Sequence, residues 1–302
     1  MKELVIISGK GGTGKTSLTG AFAALAENHV LCDADVDAAD LHLLLKPNIK
    51  QRTDFIGGNK AIIKQDICNQ CRTCIDLCRF EAISESFEVD LLDCEGCGVC
   101  VALCPEKAID FPQQKCGEWF ISETRFGPMV HARLGIAEEN SGKLVSVIRK
   151  QAKELGELQH HNLMITDGPP GIGCPVIASI TGSTAVLIVV EPTLSGLHDM
   201  ERVADLARHF TIPALVCINK YDLNPEIGAS IEQEAGHRGL QVVGSIPFDP
   251  SFTRAMVAGK TIAEYEPTSE ITRLIKDIWH NITISDAFNK KRAEYILPVL
   301  NN

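Results

Sequence analysis

Short apolar runs recur along the chain, each halted by polar or turn residues and separated from the next by a helix-length segment. The first, Leu4 to Ile7, runs into a glycine-rich turn, and a helical stretch follows from about Lys15 to Glu27. A second strand, HVLCDA, comes at once, and NLMITDGPPG, STAVLIVVEP, PALVCINKYD and LQVVGSIPFD continue the series. Buried strands alternating with helices predict an α/β fold with a doubly wound, mostly parallel sheet, and such sheets bind ligands at the carboxyl ends of their strands.

A cysteine-rich segment at about residues 64–111 interrupts this rhythm. It is too short for a large domain and long enough for one stapled by metal clusters, so it reads as an insertion. The expected organisation is a split domain, 1–63 with 112–284, an inserted domain, 64–111, and a C-terminal tail, 285–302. The tail carries a basic cluster ahead of apolar residues. Such a segment more often docks on its own domain than lies on a membrane, and no membrane binding is expected.

Composition narrows the classes. The 302 residues suffice for one large domain plus a small insertion, and hydrophobic residues make up 45%. A formal charge of -10 argues against a nucleic-acid partner, because neutralising phosphates needs a surplus of Lys and Arg. MKELVIIS passes directly into the glycine-rich turn without the long apolar segment of a secretory leader. No apolar run reaches the eighteen or so residues of a membrane span. A reducing cytoplasm is the expected location, and there twelve cysteines read as metal ligands and buried thiols.

The turn itself, Gly9-Lys10-Gly11-Gly12-Thr13-Gly14-Lys15-Thr16-Ser17, satisfies G-x4-G-K-[ST] between a strand and a helix. Its glycines let successive N–H groups point at phosphate oxygens, and the helix N-terminus adds partial positive charge. Lys15 is expected to reach the β- and γ-phosphates of a nucleotide, and Thr16 to ligate Mg2+.

Lys10, directly after the first glycine, makes the loop resemble the deviant phosphate loop of the MinD, ParA, Mrp and nitrogenase iron protein superfamily. The resemblance implies that Lys10 reaches the partner's nucleotide across a dimer, formed with a second copy or with a paralogue. CDADVD, Cys32 to Asp37, resembles the first switch of that superfamily, in which an aspartate positions the attacking water; Asp33 and Asp35 are both candidates. DGPPG, Asp167 to Gly171, resembles the second switch, which makes Asp167 the Mg2+ partner. Asn219 and the Pro247 to Asp249 run occupy the places where the family recognises adenine.

Two runs, CNQCRTCIDLC from Cys68 and CEGCGVCVALCP from Cys94, repeat C-x2-C-x2-C-x3-C at a period of 26 residues. Each resembles the bacterial ferredoxin run, in which the fourth cysteine crosses to the other cluster. By that pattern Cys68, Cys71, Cys74 and Cys104 hold one 4Fe-4S cluster, and Cys94, Cys97, Cys100 and Cys78 hold the second. Arg79 stands where the pattern has proline, which Pro105 keeps. Zinc fits less well, since three successive x2 spacings crowd one ion.

Cys32 and Cys217 lie in expected buried strands and read as inert thiols; Cys116 is left open. Cys174 follows Asp167 by seven residues, the offset at which nitrogenase iron protein carries a cluster ligand. The second ligand of that protein would fall near Glu138 to Lys143, where there is no cysteine. Cys174 is therefore a candidate for a labile interface cluster or a packed thiol. His131 and Arg133, in the connection from Thr124 to Val145, are candidates for touching a partner or a cluster.

Over nearly its whole length the chain resembles MinD-like ATPases with an inserted ferredoxin domain. That resemblance implies an ATPase with Mg2+ and two 4Fe-4S clusters, coupling nucleotide-driven dimer switching to low-potential electron transfer toward a redox partner. The alternative is an Mrp-type carrier that delivers clusters to apo iron-sulfur proteins.

Overall fold

The computed structural model describes residues 1–135 and 141–289. In chain order, β1 (Lys2–Ser8), α1 (Lys15–Leu25), β2 (His29–Asp33) and α2 (Leu41–Leu45) lead to a long strand, β3 (Asn48–Asn59). The cysteine segment follows with β4 (Ile62–Ile63), α3 (Thr73–Asp76), α4 (Val99–Leu103) and β5 (Ile109–Asp110). The chain returns through β6 (Gln113–Thr124), β7 (Gly127–Leu134) and α5 (Ser141–Leu158) to β8 (Leu163–Pro170) and α6 (Cys174–Ile180). Then come β9 (Ala185–Val190), α7 (Leu194–His209), β10 (Ala214–Asn219), α8 (Pro225–His237) and β11 (Gln241–Ile246), and finally α9 (Ser251–Val257), α10 (Ile262–Tyr265), α11 (Glu270–Ile284) and α12 (Asp286–Asn289).

The nine main strands form one sheet in the order β11-β10-β9-β1-β8-β2-β7-β6-β3. Every pairing from β11 to β7 is parallel, while β6 runs antiparallel to both β7 and β3. The parallel strands are buried on both faces, and period-two alternation divides them. Leu4, Ile6 and Leu31 face a core with α1 and α11, whereas Val5, Ile7, Val30 and Cys32 face the opposite side. On α11, Ile271, Ile275, Ile278 and Ile282 recur at helical spacing and are all buried, behind a Ser269 N-cap that accepts from the Thr272 amide. On α5, Leu144, Val145, Ile148 and Ala152 make the corresponding stripe against β2 and β7.

The segment from Thr124 to Val145 is not merely a connection. Its first part is β7, an interior strand bonded to β2 and β6, so His131 lies buried at 7% exposure instead of in a loop. Glu138 to Asn140 lie outside the described residues. The start of the tail is docked: Phe288 is buried in the core and Lys2 Nζ sits 4.8 Å from its ring, while residues 290–302 lie outside the described residues. Among the described residues no helix is long and apolar enough to cross a membrane.

The cysteine segment leaves the sheet between β3 and β6 and carries its own two-stranded sheet, β4 with β5. Asn59 pairs with Gln113, and Gly117 pairs with Leu134 near the end of β7. The segment therefore rises from the carboxyl edge of the parallel strands, the same edge as the phosphate loop. With strands about 4.8 Å apart, four to five spacings put it roughly 19–24 Å along that edge from β1.

Candidate functional sites

The phosphate loop leaves β1 at its junction with β8 and β9, where the strand order reverses. Gly14 is left-handed (φ 94°), and a Cβ there would lie 2.4 Å from Asn219 Nδ2, so only glycine permits the close approach. Asn219 Nδ2 donates to the Thr13 carbonyl at 2.8 Å, which spends one of its donors on the loop. Lys15 is nearly buried at 5% exposure. Facing the loop across a cavity of ≈ 290 Å³ are Pro247, Phe248, Asp249 and Phe252. Asp249 turns its carboxylate to the start of α9, accepting from the Ser251 amide at 2.7 Å and from the Ser251 hydroxyl, which holds it below the usual carboxylate range.

Three carboxylates gather behind the loop. Asp167 accepts from Thr16 Oγ1 at 2.7 Å and from Thr19 Oγ1 at 3.0 Å. Asp33 is its register partner across β2 and β8, fully buried, and Asp33 Oδ2 has no hydrogen-bond partner. Burial pushes all three acids upward; Asp167 adds to the effect on Asp33, and Asp35 is raised to about 6 despite the Lys15 ammonium. A divalent cation beside Thr16 and Asp167 would relieve this crowding, and the orphaned Asp33 oxygen and buried Thr13 hydroxyl fit a site that Mg-nucleotide would complete. Among the described residues no three His, Cys, Asp or Glu side chains, those of the cysteine segment included, converge closely enough to hold a single metal ion. Mg2+ commonly binds through one or two protein groups plus phosphates and waters.

Lys10 rests on Glu191 at 3.3 Å and on Thr193 Oγ1 at 3.3 Å. Lys220 also pairs with Glu191 and donates to the Gly12 carbonyl at 3.0 Å. Glu191, Lys220 and Thr19 escaped the sequence reading. Thr19 was open to discovery from its place one helical turn after Thr16, and Glu191 from the carboxylate ending the β9 run.

In the cysteine segment Cys68, Cys71, Cys74 and Cys104 line one small cavity, and Cys78, Cys94, Cys97 and Cys100 line another. The 26-residue repeat is also conformational. Gln70 and Gly96 (φ 57° and 61°), and Arg72 and Gly98 (φ 64° and 74°), are left-handed at equivalent places, and α3 and α4 begin at equivalent residues. Holding Gln70 and Arg72 there costs of order 1–2 kcal/mol each. Arg72 is anchored by a two-pronged ion pair to Glu85. Three thiols from one run and one from the other line each cavity; thiolates are the donors an iron-sulfur cluster takes, and a cube would spread its four ligands wider than a single ion does.

A family model described as the CobQ/CobB/MinD/ParA nucleotide binding domain matches residues 4–262. The chain belongs to this family. The uncharacterized protein MJ0578 of Methanocaldococcus jannaschii is 32% identical over 284 residues, covering 93% of this chain and 96% of the relative. The septum site-determining protein MinD of Pyrococcus horikoshii, complexed with Mg-ADP, shares the fold, with a TM-score of 0.58, 16% identity and coverage of 93% and 95%. Pyruvate synthase subunit PorD of Methanothermobacter marburgensis is 38% identical over 66 residues, 22% of this chain and 82% of that subunit.

Within this family member, the remaining thiols divide by burial. Cys32 and Cys217 are enclosed in the sheet; burial lifts Cys32 well above the usual thiol range and Cys217 to about 12. Cys116 is buried on β6 beside Phe55 and Trp119. Cys174 is exposed at the first residue of α6, close to Gly142.

The crowded acids give a testable stability effect. Asp33→Asn places an amide donor where two carboxylates abut, and is expected to stabilise the nucleotide-free protein by roughly 1–3 kcal/mol at pH 7. Because the folded-state carboxyls are raised, the wild type loses stability as pH climbs from about 4 toward those higher values, and below that all are protonated in both states. Urea melts in EDTA should therefore show the gap widening from pH 4 to 7. A variant less stable than wild type at pH 7 contradicts this assignment.

Proposed function

We propose that this chain is an ATP-hydrolysing iron-sulfur protein in which nucleotide-driven switching gates low-potential electron delivery to a partner protein. Lys15 and the loop amides bind the phosphates, Thr16 and Asp167 hold Mg2+, and Asp33 and Asp35 are the candidates to orient the attacking water. Lys10, now on Glu191, is free to exchange that contact for a nucleotide carried by a second copy or a paralogue. In the two thiolate sets, 4Fe-4S clusters supply one-electron chemistry whose potential responds to hydrogen bonding and solvent exposure.

The observation that carries this reading is a backbone relay. The carbonyl of Val36, directly after Asp35 in the first switch, accepts from the Leu134 amide at 3.4 Å. The next amide, Gly135, donates to the Cys116 carbonyl at 2.8 Å. Cys116 lies on β6, three residues beyond the strand's start at the cysteine segment. A change at the switch thus bears on the strand that anchors that segment, with coupling of the usual 1–3 kcal/mol as the scale. The likeness to a pyruvate synthase subunit over 66 residues supports a redox role for part of the chain.

A second reading, ATP-dependent cluster carriage to apo iron-sulfur proteins, draws on the exposed Cys174 just after the second switch. Iron and sulfide counts across ATP turnover separate the two. Electron delivery predicts about eight iron atoms per chain retained throughout. Carriage predicts an additional labile cluster lost to an acceptor, with that loss abolished in Cys174→Ala.

A further inference from the structure

We infer that the turn Asp90-Leu91-Leu92-Asp93 is the docking surface for a protein partner presenting an apolar recess ringed by lysine and arginine. This deepens the electron-delivery reading by naming the partner's chemistry, and it rests on that reading only for the partner's purpose.

Leu91 and Leu92 stand 53% and 68% exposed. They are not on a loose loop. The Asp90 amide donates to the Ala82 carbonyl at 2.8 Å, the Cys94 amide donates to the Asp90 carbonyl at 3.0 Å, and Asp90 Oδ1 accepts from the Leu92 amide at 2.8 Å. A turn pinned at three points that still holds two leucines in water has a recognition function to explain its cost, since contiguous exposed apolar surface marks interaction sites.

The turn ends at Cys94, which lines the second thiol cavity. Leu77, Phe80 and Val99 line the same cavity and are themselves 43%, 39% and 40% exposed, which adds apolar surface at that cavity's rim. A partner seated here lies beside Cys94, one of the four thiols of that set.

Charge selects the partner. Residues 64–111 carry ten Asp and Glu against four Lys and Arg. Glu85 is taken by Arg72 and Asp110 by Lys64, but Glu88, Asp90, Asp93 and Glu95 around the leucines have no ion-pair partner among the described residues. An apolar centre with an unpaired anionic rim complements the reverse arrangement, and rim charges set the rate and salt dependence of association. A second copy docking face to face sets carboxylate against carboxylate, and an anionic lipid surface is repelled in the same way.

The test uses the full-length protein purified anaerobically and a lysine-rich probe, mammalian cytochrome c, with binding measured by calorimetry at low and high salt. Wild type should bind at low salt and weaken as salt rises. Asp90→Asn/Asp93→Asn/Glu95→Gln, in which Asn keeps the carbonyl cap on Leu92, should bind about tenfold more weakly at low salt and lose the salt dependence. Leu91→Ser/Leu92→Ser should weaken binding at every salt concentration. Variants that bind like wild type overturn the docking surface, as does self-association of wild type that either variant abolishes. Midpoint potentials of the iron-loaded protein, read separately with and without Mg-ATP and without the probe, decide the electron-delivery reading, because potentials indifferent to nucleotide in protein that still binds through this turn refute that reading and leave the surface standing.

Discussion

Lys15→Ala is expected to weaken ATP binding by roughly a hundredfold to a thousandfold. The lysine is nearly buried at the start of α1, and removing one partner from an enclosed charge pair costs about 2–5 kcal/mol, where each 1.4 kcal/mol is tenfold. The loss has two parts. The phosphates lose their strongest cation, and Asp35 and Asp167 lose the ammonium that draws their carboxyls down against the push of burial. With Lys15 absent, both acids should titrate higher still and Mg2+ should compete less well with protons near neutral pH. Calorimetric titration with Mg-ATP checks the affinity, and Lys15→Arg, which keeps the charge, should recover part of it. An alanine variant binding within about threefold of wild type shows that the loop does not hold phosphates through this side chain.

Cys74→Ser is expected to lower bound iron from about eight to about four atoms per chain, or fewer. Cys74 is 8% exposed and packs with Ala61, Ile83, Phe87 and Ile109, the small apolar core of the cysteine segment. So few buried apolar residues do not stabilise a unit of this size alone, and metal binding becomes folding energy. Losing one ligand therefore endangers the neighbouring thiol set as well. The nucleotide cores are built from other residues, so ATP affinity should hold. Cys116→Ser is the matched control: it buries a hydroxyl in β6, costs stability, and leaves the iron count intact. Full iron in Cys74→Ser, measured by chemical analysis of anaerobic protein, contradicts the ligand set.

The parallel half of the fold was legible because its strands are buried on both faces and read as unbroken apolar runs. The antiparallel extension was not. In β3, NIKQRTDFIGGN is mostly exposed edge strand, and its polar residues carry no alternating signal. In β7, Gly127 and Pro128 look like turn chemistry, yet pairing to β2 and β6 decides the matter and buries His131, which bonds Ser122 at 2.9 Å and stacks on Phe120. Burial holds that imidazole down near 4, so it is neutral at physiological pH. The glycine-rich loop was legible because its chemistry is local. The Glu191 collar around Lys10 and Lys220 was not, because it joins three strand ends distant in sequence. Asp33 and Asp35 could not be ranked from CDADVD alone; the register of β2 against β8 sets Asp33 beside Asp167, while Asp35 looks toward Lys15.

Gated electron delivery requires communication between the nucleotide and the cysteine segment. Its most direct measurement is a potentiometric titration of the iron-loaded protein, followed by EPR, with and without Mg-ATP. Coupling of about 1–3 kcal/mol predicts that nucleotide moves the midpoint potential by roughly 40–130 mV, and that Lys15→Ala shows no such movement. Midpoints and spectra that coincide with and without Mg-ATP, in protein that binds the nucleotide and carries its full iron, would contradict it.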